Sequence, residues 1–325
     1  MRRIISFLIC LLVCVSTTFA GQKTSADIKQ HQQDSLPCPQ TFAYAKHDTV
    51  LHLDIYQPAA AANGFTVIHI FGGGFAAGSR TNKWDVAYCR QLAAEGYRTV
   101  AIDYRLGLCG ATNVGMQTIK LLENAIYIAV EDCSAAVAWL CENAATLGID
   151  TSKVIIEGSS AGAITALMTD YARCNKLDCA AVLPPAWKPA AVIAYSGAIF
   201  SRKGKPSWNY SVPAPTLLFH GTVDKVVTYK KIELFNTGFY GSNAIVKSLK
   251  KYNLPFAIYR YTDLGHEVSV GGPLTISELN LFVKQYVTDS RKLHADITIT
   301  DDSIPPSEYS KMTVRQLYKP KDKKK

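Results

Sequence analysis

Charge is sparse in this 325-residue chain: 19% of its residues are Asp, Glu, Lys or Arg, against 48% hydrophobic. So apolar a composition excludes an unfolded or fibrous protein and leaves ample side-chain surface for a core. Nor is the net charge of +9 spread along the chain. Arg2 and Arg3 supply two of those charges, residues 318–325 supply four more, and +3 remains for everything between. That surplus excludes a nucleic-acid-binding face, which needs clustered charge on the folded domain. The lysine-rich end reads as a solvated tail. Beyond the N-terminus no apolar stretch is expected to span a membrane. No histidines accompany the cysteines at zinc spacing, so neither a metal nor another cofactor is expected. The length allows one large domain or two ordinary ones, and the lack of repeats or a linker favours one.

The N-terminus bears on compartment. Met1-Arg2-Arg3 is a short positive start, residues 4–15 are apolar, and Thr18-Phe19-Ala20 offers small residues where a signal peptidase reads. Cys10 and Cys14 follow Ile9 and Val13 rather than a small residue, which argues against lipoprotein processing. Residues 1–20 are therefore expected to be a cleaved signal peptide, with a secreted or periplasmic chain starting at Gly21. Seven of the nine cysteines would remain, an odd number. Cys133 and Cys141 fall on a helical apolar stripe and read as small buried hydrophobes. Cys174 and Cys179 flank a short polar loop that a disulfide would staple in an oxidising compartment.

Residues 21–40 are polar and read as a flexible leader. Strands are expected over 42–48, 51–56, 65–71, 97–104, 153–157, 190–195, 215–220 and 256–261. Helices are expected over 85–95, 161–171, 240–252 and 275–287. A further helix follows from the spacing of Val130, Cys133, Val137, Leu140, Cys141, Ala144 and Leu147, with Gly148 as its C-cap. Strands alternating with helices give an α/β fold with a mostly parallel central sheet and helices on both faces. The domain is expected over 41–288, with residues 289–325 as a C-terminal extension.

Gly158-Ser159-Ser160-Ala161-Gly162 lies between a strand and a helix, the setting of a G-x-S-x-G nucleophile elbow. Flanking glycines let the backbone turn sharply, which leaves Ser160 at the tip and Ser159 one place short of it. A nucleophilic serine needs a base, and the base an orienting acid, in the chain order serine, acid, histidine. Asp224, four residues beyond a strand end, and His266, just before the last helix, fall on the same sheet edge as Ser160. Either residue alone is equally a turn aspartate or a surface histidine. In this order they form a Ser160–Asp224–His266 triad. His220 is expected to pack beneath the acid loop, Asp103 to make a structural ion pair, and Glu267 to point away from the base. Gly72-Gly73-Gly74, after another strand, permits close approach of backbone N–H groups to a reacting oxygen. With Ala161, these amides would form an oxyanion hole.

Phe71-Gly72-Gly73-Gly74-Phe75, Asp103-Tyr104-Arg105-Leu106, the serine motif, the 220–224 segment and Gly265-His266 together resemble the α/β-hydrolase carboxylesterases with an HGGG-type oxyanion loop. Among these the pattern is similar to secreted bacterial acetyl, carbohydrate and feruloyl esterases. The resemblance covers roughly residues 42–287. It implies Ser160 as nucleophile, Asp224 as acid, His266 as base, and Gly73, Gly74 and Ala161 as oxyanion donors. The family's histidine before the glycines is Phe71 here. His69 is expected to share a face with position 71, and whether it replaces that brace is left open.

Cover over the site is expected from short insertions at 174–189 and 199–213, whose Trp187 and Trp208 would either bind substrate or pin the loops. An open site with aromatic rims points to a small-molecule or saccharide ester carrying a short or aromatic acyl group. The rival classes are a lipase-like esterase for longer acyl chains, a serine exopeptidase, and a non-catalytic hydrolase-fold binding protein. An exopeptidase of this fold would need an additional large domain. A binder would be expected to have lost a triad member.

Overall fold

The protein was analysed as a computed structural model, which describes residues 38–59, 61–112, 114, 118–301, 303 and 307–318. The expected signal peptide at 1–20, most of the leader and the lysine tail beyond 318 lie outside the described residues.

Nine strands form one sheet in the order β1-β2-β4-β3-β5-β6-β8-β11-β12. They are β1 (Gln40–Lys46), β2 (Val50–Tyr56), β3 (Thr66–Ile70), β4 (Arg98–Ile102), β5 (Val154–Ser159), β6 (Ala191–Tyr195), β8 (Thr216–Gly221), β11 (Phe256–Tyr261) and β12 (His294–Ile299). Only β1 and β2 run antiparallel to their neighbours. The central strands are buried on both faces, so their sequences are continuous apolar runs rather than alternating ones. Along β6 the alternation serves two cores: Val192 and Ala194 face one, and Ala191, Ile193 and Tyr195 the other.

Helices α2 (Ile119–Glu142), α3 (Ala161–Asn175) and α4 (Ser242–Lys251) cover the first face; α1 (Lys83–Ala94) and α5 (Ile276–Phe282) cover the second. Asn82 caps α1 by accepting the amide of Trp84 at 3.1 Å. By length and composition α2 is long and apolar enough to cross a membrane. Its stripe Ile126, Ala129, Val130, Cys133, Val137 and Leu140 is instead buried in the core against α3 and the sheet. The helix breaks at Asn143, and Gly148 caps the short turn that follows in a left-handed conformation.

Three expectations are corrected here. The sheet does not stop at residue 288: β12 pairs in parallel with β11 at its edge. Its pattern is half exposed and mixed in polarity, so no apolar run announces it. A second, three-stranded antiparallel sheet comprises β7 (Ala198–Ser201), β10 (Thr237–Gly241) and β9 (Lys231–Leu234), all unforeseen. Cys174 and Cys179 are free thiols, pushed up to about 12 by burial; the Cys174 sulfur accepts from Arg173.

His69 does not share a face with Phe71. It lies across the sheet, where Nδ1 meets Glu157 Oε2 at 2.6 Å and Nε2 meets Asp85 Oδ1 at 2.9 Å. Burial pulls its pKa down, but the Glu157 and Asp85 carboxylates outweigh burial and hold it at about 10. The imidazolium thus ties β3 to β5 and α1. Because 10 lies above the ordinary 6.5, this stabilisation is full below about pH 6.5 and is lost as pH rises through 10. His69→Gln strips Glu157 of its cation and should cost about 3–5 kcal/mol near neutrality. The melting difference between wild type and variant should narrow as pH passes 10. A difference that stays constant with pH would contradict a charged His69.

Candidate active site

Ser160 sits between the end of β5 and the start of α3 with φ 52° and ψ −114°. Both flanking glycines are sterically required. A Cβ on Gly158 would lie 2.3 Å from the backbone carbon of Gly162, and one on Gly162 would lie 1.9 Å from the carbonyl oxygen of Ile70. The amide of Ser160 donates to Tyr195 O on the neighbouring strand at 2.9 Å. The result is a buried but presented hydroxyl. Ser159 is held elsewhere, donating to Ser269 O at 2.7 Å.

The three residues expected to act together do meet. Ser160 Oγ lies 2.8 Å from His266 Nε2, and His266 Nδ1 lies 2.8 Å from Asp224 Oδ2. An ionised carboxylate only accepts, so Nδ1 carries the proton and Nε2 turns its lone pair to the serine. Asp224 is itself fixed: its Oδ1 accepts the amides of Val226 at 2.8 Å and Val227 at 3.0 Å. Burial raises its pKa, but hydrogen bonds from His220 and His266 outweigh burial and hold the carboxyl well below the usual range. His220 lies buried beneath the acid loop as expected, 2.7 Å from Ser242 Oγ and 3.1 Å from Val227 O.

The glycine loop turns beside this array. Gly73 has φ 125°, Gly74 φ 63° and Phe75 φ 59°. Gly73 O accepts the amides of Ala76 and Ala77, both at 3.1 Å, which closes the turn. Gly74 and Ala161 line the same cavity as Ser160; Gly73 is not among its lining residues. Phe71 stacks on Tyr104 at 4.4 Å, and the Tyr104 hydroxyl donates to Phe71 O at 3.1 Å. That contact supports the loop where the resembling family has a histidine. Asp103 takes Arg80 as its ion-pair partner. Glu267 accepts from the Ser310 hydroxyl, away from the base.

The cavity has a volume of about 260 Å³, and its walls differ from expectation. Ile164, Val226, Val227, Ile232 and Phe239 line it, together with Val314, Leu317 and Tyr318. Trp187 and Trp208 do not. Trp187 donates to Thr151 O at 3.2 Å, just ahead of β5, and Trp208 packs edge-on against Tyr252, just ahead of β11. Both tryptophans therefore stand near the amino edge of the sheet, opposite Ser160: α3 carries the chain there ahead of Trp187, and the chain returns there from β7 ahead of β8, past Trp208. Phe200 of β7 contributes indirectly by packing on Phe239 at 5.2 Å. The cover instead comes from residues 225–228, the small sheet and the C-terminal segment. Two sequence features bear on these walls and went unread: Val226-Val227 after the acid, and the Thr313–Gln316 capping-box spacing before Leu317 and Tyr318.

An elbow serine, a histidine and a buried aspartate on one edge of a mostly parallel sheet define an α/β-hydrolase. The BD-FAE family matches residues 53–197. Among curated proteins, the chain is 38% identical over 115 residues to cholinesterase 1 of Branchiostoma lanceolatum, covering 35% of this chain and 30% of that protein. It is 31% identical over 138 residues to an arylesterase of Saccharolobus solfataricus, covering 42% of this chain and 40% of the relative. The chain thus spans well under half the length of these relatives. The solved structure of esterase 2 from Thermogutta terrifontis superposes with a TM-score of 0.55, covering 80% of this chain and 95% of that one at 22% identity. The chain thus has the fold of this esterase and, over part of its length, sequence similarity to the BD-FAE family and to the two esterases above.

Ser160→Ala should leave the fold intact and lower ester turnover by on the order of 10⁴–10⁶. Asp224→Asn presents the wrong histidine tautomer and should cost on the order of 10⁴ in kcat with little change in KM. Loss of activity in Ser159→Ala, with Ser160→Ala still active, would move the nucleophile by one residue.

Proposed function

We propose that the protein is a serine carboxylic-ester hydrolase acting on esters of short or flat aromatic acyl groups. The observation that carries this reading is the unbroken Ser160–His266–Asp224 hydrogen-bond chain opening onto an apolar cavity. In the proposed reaction, Ser160 Oγ attacks the ester carbonyl carbon while His266 Nε2 takes its proton. The negative charge on the carbonyl oxygen is met by the N–H groups of Ala161 and Gly74, with Gly73 fixing their loop. Collapse breaks the bond to the alcohol, which leaves with the proton from His266. Water then attacks the acyl-serine while His266 takes its proton; the bond from the acyl carbon to Oγ breaks, His266 returns the proton to Ser160 Oγ, and a carboxylic acid departs. Asp224 stays ionised throughout and holds the imidazole. No metal or cofactor enters these steps.

The aromatic rim that suggested a saccharide stands on the far edge of the sheet, so the reading rests on the acyl side alone. The acid loop, the small sheet and the C-terminal segment line the pocket in place of the two insertions. Its volume lies near the small end of ligand sites. Each methylene buried there contributes about 0.8 kcal/mol, or about fourfold in efficiency. Catalytic efficiency should therefore climb from acetyl to about butyryl or hexanoyl esters and fall by decanoyl. A steady climb through decanoyl would indicate a lipase-like enzyme.

The site of action proposed is outside the cytoplasm, supported by the basic start, apolar run and Thr18-Phe19-Ala20. N-terminal sequencing of the protein from the native host should read from Gly21 in an extracytoplasmic fraction. A chain beginning at Met1 in the cytoplasm would contradict this.

A further inference from the structure

The C-terminal segment, residues 307–318, leaves the edge strand β12 and returns across the carboxyl edge of the sheet. Along this course it touches each of the three loops that carry the site. Its first turn, Glu308–Lys311, sits on the histidine loop: Ser310 donates to Glu267, and a Cβ on Gly265 would lie 2.5 Å from the Ser310 Cα. Position 265 is thus glycine because the segment occupies that space. Thr313 next forms a parallel bridge with Lys225, the residue after Asp224. Thr313 and Gln316 then cap a short turn, Val314–Leu317, by reciprocal hydrogen bonds. Finally the Tyr318 hydroxyl donates to Gly74 O at 2.6 Å, and its ring is buried in the cavity wall. A Cβ on Gly74 would lie 2.9 Å from both Leu317 Cδ2 and Tyr318 Oη.

These contacts decide what the segment is. A solvated tail would not demand glycine at two positions of the site loops, 265 and 74. Nor would it bury a tyrosine that hydrogen-bonds the middle of the glycine loop. The peptide carrying Gly74 O also carries the Phe75 N–H, one peptide beyond the Gly74 donor, and Gly74 and Phe75 both hold positive φ, a conformation costly for phenylalanine. A loop so strained needs an external hold. Tyr104 supplies one at Phe71 O, ahead of the glycines, and Tyr318 supplies the other at Gly74 O, behind them.

We propose that residues 307–318 form a strap that completes the active site, with Tyr318 as a positioning residue of the oxyanion loop and Val314 and Leu317 as the end wall that sets acyl size. The inference rests on the esterase reading for its kinetic consequences but not for its structural ones. Val314 and Leu317 share the cavity with Ser160, and half-exposed Leu317 is its most solvent-facing apolar wall on the strap. Shortening either side chain lengthens the cavity without touching the triad. The class of substrate this favours is an ester whose acyl group ends at the strap.

The test uses the full chain. Tyr318→Phe keeps the ring and deletes one hydrogen bond, so kcat should fall about five- to tenfold with KM nearly unchanged. Leu317→Ala and Val314→Ala should shift the best acyl chain by about two methylenes longer. Hydrogen exchange of the amides at 72–78 reads the same contact without any turnover and should accelerate in Tyr318→Phe. Unchanged kcat, unchanged chain-length profiles and unchanged exchange would overturn the strap. A wild type that hydrolyses no ester, yet shows the faster exchange in Tyr318→Phe, would overturn the esterase reading and leave the strap standing.

Discussion

The first turn of α3 lies against the end of β3 with no side chain between them, and the site depends on that approach. A Cβ on Gly162 would lie 1.9 Å from the Ile70 carbonyl oxygen, and one on Gly158 only 2.3 Å from the Gly162 carbonyl carbon. This contact lets β5 turn into α3 within one residue and forces Ser160 to a φ of 52°. From the same contact the glycine loop leaves β3 beside the serine: a Cβ on Gly72 would lie 3.3 Å from Ser160 Cβ. Ser160 and the glycine loop are therefore set by a single backbone packing event, between the two cores on either face.

The second constraint is electrostatic. Asp224 is buried, and an unpaired carboxylate there would be expensive. Two amides, His266 and the underlying His220 share its charge. The cost of burying the acid is thus converted into orientation of the base. His69 does comparable work on the opposite face, where a buried cation between Glu157 and Asp85 ties the strand before the glycine loop to the strand before the serine.

Much of this was legible in the residues. The parallel core strands announce themselves as apolar runs, and the triad follows from the elbow glycines and the chain order of acid and histidine. The faces of positions 69 and 71 were misread because β3 ends at Ile70; beyond it, strict alternation no longer applies and Phe71 swings to the Tyr104 side. The small sheet was missed because β9, Lys-Ile-Glu-Leu, is largely exposed and carries no core signature. The tryptophans drew attention by residue type alone, and type does not say at which end of a sheet a loop emerges. The strap was hidden by its polar flanks: Tyr318 borders the lysine run, and only the Thr313–Gln316 spacing hinted at order there.

The central claim is that Ser160 is a nucleophile activated by His266 and seated in an apolar cavity. The most direct measurement is covalent trapping with an aryl phosphonate ester, read by intact mass and peptide mapping. The account predicts one phosphonyl group per chain, on Ser160, with labelling abolished in His266→Ala. A folded protein that stays unlabelled, or one labelled on Ser159, would contradict it.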